Sequence, residues 1–330
     1  MKALITGATG FLGGALARRL YGMGWDITSL GRNPSALAAL EAQGIKTIKA
    51  NLEDTQAIVN ACKGQDVVFH SGAFSSPWGK YRDFYQANVI GTQNVIHACE
   101  ENNVKRLVYV STPSIYFNFQ SRLNVREDSE LPRKPVNEYA RTKLMAEFKI
   151  DEAFACGLPV ITIRPRAIFG PGDTTILPRL IQRMQKGRLR IIGDGQNVVD
   201  ITYVENVVDA LIFCAESPAH TLGKKYNLTN GQPVRLWDVI EKLAGALNLP
   251  FTEKHISYKV ADTAAAILEI IYRALPGQPE PPLTRYTVSI VAHSTTLDIS
   301  AAKRDLGYNP RISLEEGFSE FVKWWKVYSR

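Results

Sequence analysis

A tyrosine and a lysine stand four residues apart in a predicted helix, at Tyr139 and Lys143, and this spacing places both side chains on one helical face. A free tyrosine has a pKa of about 10, but a nearby ammonium group favours the phenolate, so Lys143 is expected to lower the pKa of Tyr139. The preceding predicted strand ends in Ser111 and Thr112, which places two hydroxyl groups at the carboxyl edge of a sheet. A tyrosine that exchanges a proton, beside a hydroxyl that orients an oxygen, suits hydride-transfer chemistry.

Three glycines at three-residue spacing, Gly7, Gly10 and Gly13, lie between a short apolar run and a helical one. In this pattern the first permits a sharp turn, the second lets the backbone approach a pyrophosphate, and the third lets helix and sheet pack closely. The N–H groups at the start of the helix then bind the phosphates. The turn is therefore interpreted as a dinucleotide site, to which its neighbours are also assigned: Thr9, Phe11 and Leu12.

The end of the second predicted strand indicates which dinucleotide binds. NAD sites place an acidic side chain there, roughly 20 residues beyond the glycine turn, where it binds the ribose 2′-hydroxyl. This sequence has Leu30, Gly31, Arg32 and Asn33 instead. Because an arginine accommodates a 2′-phosphate, the sequence predicts NADP(H) in preference to NAD(H).

Predicted strands and helices alternate throughout the first half of the chain. After the glycine turn, strands are predicted at 26–30, 45–49, 66–70, 105–111 and 159–164, and helices at 34–43, 53–62, 83–102 and 136–155. This alternation is typical of a Rossmann-type α/β fold, a doubly wound parallel sheet with helices on both faces. Ligands of such a sheet lie at the carboxyl ends of its strands.

The second half has more widely spaced helices, predicted at 176–186, 204–215, 236–247 and 314–327. The dinucleotide-binding domain is predicted at 1–170, with 203–216 returning to it. A smaller, mostly helical C-terminal substrate domain is predicted at 171–202 and 217–330. An apolar helical stripe at 260–275 is too short and too charged to span a membrane. It is predicted to pack against the core, with a lid or a membrane-surface contact as the alternative.

Composition and charge exclude several classes of protein. The 330 residues are 45% hydrophobic and 22% charged, which is typical of a folded enzyme. The net charge of +7 is dispersed, so it favours an anionic cofactor or substrate over nucleic acid. Four widely separated cysteines and the lack of a leader pattern predict a cytoplasmic protein. The five histidines lack metal-ligand spacing, so catalysis is expected to be metal-free.

In their order along the chain, these motifs resemble the extended short-chain dehydrogenases/reductases. The matching segments are TGATGFLGG at 6–14, HSGA at 70–73, NVIGT at 88–92, ST at 111–112, YARTK at 139–143, RP at 164–165 and GPG at 170–172. The resemblance implies that Tyr139 is the general acid/base, that Lys143 is its partner and a ribose ligand, and that Thr112 rather than Ser111 aligns the substrate. It also implies further cofactor-site residues: Asn51, Leu52, Ser71, Gly72, Ala73, Asn88, Pro165 and Ile168.

Within that family, several segments resemble the 3β-hydroxysteroid dehydrogenase branch, in particular the bacterial 2-alkyl-3-oxoalkanoate reductases. They are PWGKY at 77–81, STPS at 111–114, VDITY at 199–203, LWD at 236–238 and PLTRY at 282–286. Nucleotide-sugar epimerases and dehydratases usually carry an arginine where this chain has Val199. A valine cannot make the bidentate contact with a substrate phosphate.

The sequence therefore predicts an NADP(H)-dependent ketoreductase or secondary-alcohol dehydrogenase that acts on a 3-oxo or 3-hydroxy group of a small apolar substrate. A nucleotide-sugar epimerase or dehydratase is one alternative, and a non-catalytic NADP-binding sensor or scaffold is another. If the substrate is a carboxylate, Arg285 and Arg166 are candidates to hold it. The resemblance also implies a homodimer through the helices at 83–102 and 136–155.

Overall fold

The computed structural model describes residues 1–328, so the last two residues of the predicted substrate domain lie outside the described range. The strands are β1 (Lys2–Thr6), β2 (Asp26–Gly31), β3 (Lys46–Lys49), β4 (Val67–His70), β5 (Arg106–Val110), β6 (Arg122–Val125), β7 (Val160–Pro165), β8 (Ile168–Phe169), β9 (Ile191–Ile192), β10 (Val198–Val199), β11 (Thr202–Tyr203), β12 (Lys225–Leu228), β13 (Val234–Arg235), β14 (His255–Ile256) and β15 (Thr295–Leu297). The α-helices are α1 (Phe11–Gly22), α2 (Pro34–Glu41), α3 (Thr55–Cys62), α4 (Tyr81–Phe84), α5 (Gly91–Glu101), α6 (Glu138–Ala155), α7 (Leu177–Gln185), α8 (Val204–Glu216), α9 (Leu236–Ala246), α10 (Tyr258–Ala274), α11 (Arg285–Ala292), α12 (Ser300–Leu306) and α13 (Leu314–Tyr328).

Seven strands form a parallel sheet in the order β12-β7-β5-β4-β1-β2-β3. The strand order reverses between β1 and β4, where Thr6 lies beside His70 in register. In doubly wound sheets the ligand site is the crevice at this switch point. The segments that follow these two strands therefore meet at one edge of the sheet. The predicted Rossmann-type α/β fold is confirmed.

Successive residues of the central strands pack on opposite faces of the sheet. Ile5 belongs to one core, which includes residues of α1 and α8, whereas Leu4 belongs to a second core with residues of α3, α5 and α6. Both side chains are fully buried. Because the sheet is covered on both faces, the ends of its strands are held in fixed positions.

The long helix predicted at 83–102 consists of three pieces: α4, a π-helical turn (Tyr85–Ile90) and α5. Such turns occur frequently at functional sites, where they shift the register of the side chains that follow. Here the turn contains Asn88, which is buried against the loop after β4 and against α6.

Helix α6 begins at Glu138, two residues later than predicted. Asn137 caps it, because its side chain accepts a hydrogen bond from the Ala140 N–H (2.8 Å). Such a cap stabilises a helix by about 1 kcal/mol. It also holds Tyr139 in the first turn, near the carboxyl edge of the sheet.

Outside the main sheet, the structure contains small sheets that were not predicted, formed mostly by strands of the second half of the chain. Strands β13, β10, β15 and β6 form one sheet, and β11 with β8 and β14 with β9 form two pairs. Most of these strands are too short to show an alternating pattern. Strand β12 lies within the range assigned to the substrate domain, but it is the edge strand of the main sheet and pairs with β7.

The outward face of α10 is apolar and exposed. Ala261 and Ala265 are buried, whereas Ile267, Ile270 and Ile271 are 53%, 71% and 49% exposed. The predicted packing of this stripe against the core is therefore wrong, because the helix packs inward through its alanines. Within the described part of the chain, no helix is both long and apolar enough to cross a membrane.

Candidate functional site

The loop between β1 and α1 is closely packed against the residues after β4. Gly7 has a φ of +72°, and a Cβ there would lie 2.6 Å from the Gly72 Cα. A Cβ at Gly13 would lie 2.4 Å from the Gly7 carbonyl oxygen. Because a side chain at either position would collide with backbone, the turn depends on both glycines.

The start of α1 is suited to binding an anion. Gly10, at the N-cap, is exposed, and no side chain of residues 1–328 caps the helix there. The first turn contains no acidic side chain either in this described region. Its N–H groups and the positive end of the helix dipole are therefore available to a diphosphate. The neighbouring Thr9, Phe11 and Leu12 are half-buried beside this opening.

Arg32 follows β2 and is exposed to solvent. Its neighbour Asn33 caps α2 by accepting hydrogen bonds from the N–H groups of Ser35 (3.0 Å) and Ala36 (3.3 Å). The residues at 29–33 include no carboxylate. The charged group at the carboxyl end of β2 is therefore a cation.

The residues after β4 border the glycine turn. The Ser71 hydroxyl donates to the Thr6 carbonyl (2.7 Å). Gly72 lies beside Leu52, whose Cδ1 would be 2.9 Å from a Cβ at Gly72. The half-buried Asn51 and Ala73 adjoin these residues in the chain. The structure thus brings the segments at 51–52 and 71–73 to the opening beside the turn.

The carboxamide of Asn88 is hydrogen-bonded to other residues of the protein. Its oxygen accepts from the Phe74 N–H (2.7 Å), and its nitrogen donates to the Phe74 carbonyl (3.2 Å) and to the Thr142 hydroxyl (3.0 Å). Both N–H donors are therefore occupied. Asn88, predicted as a cofactor-site residue, holds the loop after β4 against α6.

Tyr139 is half-buried, and its hydroxyl interacts with the side chains of Ser75 and Thr112. Burial raises its pKa above the ordinary value, although the two hydroxyl partners oppose this shift. The phenol therefore carries its proton at neutral pH and can donate it to an oxygen bound nearby. Ser75 was not predicted, because a serine in a loop has no distinguishing local pattern.

Thr112 begins a chain of hydroxyl groups that reaches the C-terminal half. It is buried, and its Oγ1 donates to the Ser114 Oγ (3.0 Å). The Ser114 Oγ lies 3.0 Å from the hydroxyl of Tyr286 in α11. The sequence includes Ser114 and Tyr286 in family-like segments, but it does not assign them to the site. The contacts link α11 to the hydroxyl that is predicted to align the substrate.

Ser111 faces the core instead. Its hydroxyl donates to Glu147, and the Nε of Arg164 donates to the same carboxylate (2.9 Å). The Glu147 and Arg164 side chains are 1% and 3% exposed. Burial opposes ionisation of Glu147, but the hydrogen bonds and charge of Arg164 outweigh it and hold the carboxyl pKa below its usual value. This buried pair fixes the strand end that carries Thr112.

Lys143 lies one turn beyond Tyr139, and its ammonium points towards β5. It donates a hydrogen bond to the Val110 carbonyl (2.7 Å) and lies 4.2 Å from the centre of the Tyr109 ring. Burial lowers the pKa of Lys143 to about 7, although Glu147 opposes the shift. The predicted lowering of the Tyr139 pKa by Lys143 is wrong, because burial dominates and Lys143 faces Val110.

Pro165 and Ile168 lie where the main sheet meets the second half. Pro165 ends β7 and pairs in register with Leu228 of β12, and Ile168 of β8 pairs with Thr202. Both are therefore fixed near the carboxyl edge of the sheet. Val199 is 4% exposed in β10, so it packs inside and offers no charge to a substrate diphosphate.

The residues present fit a dinucleotide. Gly10 places no side chain over the start of α1, and the uncapped N–H groups there supply donors for a diphosphate. A tyrosine that carries a proton lies at the same edge of the sheet, beside Thr112. This arrangement has the parts needed for a redox reaction at a carbon–oxygen bond.

Comparison with known proteins agrees with this geometry. The model of the NAD dependent epimerase/dehydratase family matches residues 3–229. A 2-alkyl-3-oxoalkanoate reductase of Stenotrophomonas maltophilia (strain K279a) is 40% identical over 322 residues, which cover 96% of this chain and 97% of that protein. A decarboxylating sterol-4-alpha-carboxylate 3-dehydrogenase of Mus musculus is 30% identical over 98% of this chain and 90% of its own.

A solved structure extends the similarity to the whole fold. MoeE5, in complex with UDP-glucose and NAD, is 26% identical and superposes with a TM-score of 0.79 over 100% of both chains. The family match and the relatives together show an NAD(P)-dependent oxidoreductase that acts on CH–OH or C=O groups. The chain belongs to the NAD dependent epimerase/dehydratase family and, as predicted, to the extended short-chain dehydrogenases/reductases within it.

Proposed function

We propose that this protein is a ketoreductase, or in reverse a secondary-alcohol dehydrogenase, with Tyr139 as its general acid/base. The observation that carries the proposal is the contact of the Tyr139 phenol with Thr112 at the carboxyl edge of the sheet. A nicotinamide cofactor, when bound, supplies the hydride. The protein supplies the proton, and such proton transfer contributes about 10² to 10⁴ in rate.

Each polar residue has a separate role in this proposal. Thr112 orients the carbonyl oxygen by a hydrogen bond, for which its hydroxyl turns from Ser114 to the substrate. Tyr139 holds a proton on its hydroxyl and transfers it to that oxygen. The raised pKa of Tyr139 favours the protonated form that reduction requires. Lys143 is anchored on Val110 through one N–H, and its ammonium form has two further donors, which we assign to the cofactor ribose.

We infer a preference for NADP(H) over NAD(H). The support is the exposed Arg32 after β2, together with the lack of a carboxylate in the sequence at 29–33. A guanidinium binds a 2′-phosphate through parallel hydrogen bonds. The other proposed cofactor residues are Gly7, Thr9, Gly10, Phe11, Leu12, Gly13, Asn51, Leu52, Ser71, Gly72, Ala73, Tyr139, Lys143, Pro165 and Ile168. Asn88 is proposed to contribute to this site by holding the loop after β4 in place.

The names of the relatives favour an apolar 3-oxo or 3-hydroxy acid, or a sterol-like compound, as the substrate. One relative is a reductase of 2-alkyl-3-oxoalkanoates, and another is a 3-dehydrogenase of a sterol 4-carboxylate. In both compounds, the carbon that bears the carboxylate is bonded to the carbon that bears the reacting oxygen. We propose the same relationship for the substrate of this protein.

An assay of cofactor oxidation separates this function from its alternatives. We expect NADPH oxidation with 3-oxo acids and no conversion of UDP-glucose. Epimerisation of UDP-glucose would instead support the nucleotide-sugar alternative, against which the buried Val199 argues. Binding of NADPH without turnover of 3-oxo acids, ketosteroids or flavanonols would support a non-catalytic sensor or scaffold. The presence of both Tyr139 and Lys143 argues against that alternative.

We further propose a cytoplasmic homodimer that pairs through α5 and α6. Phe148 on α6 is 53% exposed, and a groove between the two helices is lined in part by Ile96 and Lys149. The cysteines of residues 1–328 are free thiols, which suits a reducing compartment. The mass of the protein in solution tests the dimer.

Within each subunit, we assign cofactor binding to 1–170 with 203–216, and substrate binding mainly to 171–202 and 217–330.

A further inference from the structure

The guanidinium group of Arg166 makes no hydrogen bond or contact ion pair within residues 1–328, and its Nε is buried. Arg164, two residues earlier, is by contrast paired with Glu147. Burial lowers the pKa of Arg166, but an arginine remains protonated in proteins. Arg166 is half-buried, and a partly desolvated cation without a contact counter-ion suits an anion from outside the chain.

The backbone of Arg166 is fixed at the carboxyl end of β7. Its N–H donates to the Leu228 carbonyl of β12 (3.0 Å), and its carbonyl accepts a hydrogen bond from the Thr202 hydroxyl of β11. Arg166 also follows Pro165 directly, at the edge of the sheet where Thr112 lies. The charge is therefore carried by a rigid element of the site, and not by a surface loop.

Asp200 does not neutralise Arg166 by direct contact. The two groups interact electrostatically, but they do not form a contact ion pair in the described chain. The Asp200 carboxylate accepts a hydrogen bond from the Leu297 N–H (2.7 Å), and burial raises its pKa. Asp200 therefore leaves the hydrogen-bonding groups of the guanidinium free for a ligand.

Tyr286 connects Arg166 to the reacting groups. Its hydroxyl interacts electrostatically with the Arg166 guanidinium and lies 3.0 Å from Ser114. Ser114 is hydrogen-bonded to Thr112, which contacts Tyr139. Arg166 thus lies within electrostatic range of Tyr286, which belongs to the same group of hydroxyls that is proposed to hold the substrate oxygen.

Arg285, the other candidate from the sequence, is already engaged. Its guanidinium forms two hydrogen bonds with Asp262 (2.9 and 3.1 Å) and lies 5.2 Å from the centre of the Phe119 ring. A bidentate pair of this kind uses the face that a substrate carboxylate would need. Of these two guanidinium groups, that of Arg166 is the one whose hydrogen-bond donors are free for a ligand.

We propose that Arg166 binds the carboxylate of a 3-oxo acid and makes the enzyme specific for acids over neutral ketones. This proposal rests on the reductase function proposed above. In a 3-oxo acid one carbon separates the carboxyl carbon from the carbonyl carbon, so both groups enter the site together. The planar guanidinium matches a carboxylate, whereas the methyl ester of the same acid has no charge for it to bind.

The test compares 3-oxododecanoate with its methyl ester in wild type, Arg166→Gln and Arg166→Lys. Arg166→Gln is expected to lower kcat/KM for the acid by about 10- to 100-fold, mainly through KM, and to leave the ester nearly unchanged. Arg166→Lys should restore part of the loss, because it keeps the charge without the planar fork. Arg188→Gln, at an exposed arginine, controls for net charge and should change neither substrate.

Equal losses on acid and ester in Arg166→Gln, or full activity on the acid, would overturn the role of Arg166. If Arg166→Gln does not fold, inhibition of the wild-type protein by dodecanoate is measured instead, with dodecanol as the uncharged control. Absence of inhibition by dodecanoate would also overturn the role of Arg166. Turnover of the ester with no preference for the acid contradicts the Arg166 proposal alone. Turnover of neither compound contradicts the reductase function as well.

Discussion

The hydroxyl of Ser114 lies 3.0 Å from the hydroxyl of Tyr286, and this contact joins the loop after β5 to helix α11. Ser114 also accepts a hydrogen bond from Thr112, which in turn contacts Tyr139. Both halves of the chain therefore contribute to one series of hydrogen-bonded hydroxyls. Since each bond in such a series orients the next, α11 takes part in orienting Thr112.

Gly13→Ala is expected to weaken NADPH binding and to destabilise the fold by about 1–3 kcal/mol. The new methyl group would lie 2.4 Å from the Gly7 carbonyl oxygen, so the turn has to open. Gly22→Ala in the same helix is the control, because a Cβ there meets no atom within 4 Å in the described structure. Thermal unfolding and NADPH titration measure both effects, and equal behaviour of the two variants would contradict the packing argument.

Arg32→Gln is expected to raise the Kd for NADPH by about 10- to 100-fold and to leave the Kd for NADH unchanged. The physical reason is the loss of a charged partner for the 2′-phosphate, a group that NADH lacks. Fluorescence titration with both cofactors gives the comparison. Tighter binding of NADH than of NADPH by the wild-type protein would refute the inferred cofactor preference.

Glu147→Gln is expected to lower the free energy of unfolding by about 3–5 kcal/mol, because it leaves the buried Arg164 guanidinium without its counter-ion. The matched control is Glu138→Gln, which removes an exposed partner of Arg141 and should change stability by less than about 1 kcal/mol. Urea unfolding at neutral pH measures both. If both substitutions change the free energy of unfolding by a similar, small amount, the buried pair does not stabilise the fold as proposed.

His70 is expected to contribute to unfolding in acid. Burial, with repulsion from Lys143, lowers its pKa to about 3, against 6.5 for an exposed histidine. Between these values the unfolded chain binds more protons, so stability falls as the pH falls, by up to about 1.4 kcal/mol per pH unit. His70→Gln should flatten the dependence of the unfolding free energy on pH between 4 and 7. His97→Gln, at an exposed position, should not, and an equal slope in all three proteins would contradict the assignment.

The fold and the glycine turn could be predicted because their signals are local. Strand and helix periods show in each segment, and the three-residue spacing of Gly7, Gly10 and Gly13 is visible within one short stretch. The exposure of α10 could not be predicted in the same way. Periodicity shows that a helix has an apolar face, but not whether another element of the chain covers it.

The reacting side of the site was only partly predictable. The spacing of Tyr139 and Lys143 gives one helical face, but the direction of the ammonium depends on Val110, a residue of another element. The contact between Ser114 and Tyr286 joins residues 172 positions apart. No local pattern encodes such a pair, so only the folded chain reveals it.

The activity and cofactor affinity of Tyr139→Phe test the central claim most directly. The substitution removes the phenolic hydroxyl that contacts Ser75 and Thr112 and retains the ring. We expect kcat for a 3-oxo acid to fall by about 10² to 10⁴, while the Kd for NADPH changes little, because the ring and the other cofactor residues are retained. Full turnover by the variant would contradict the assignment of Tyr139 as the general acid/base.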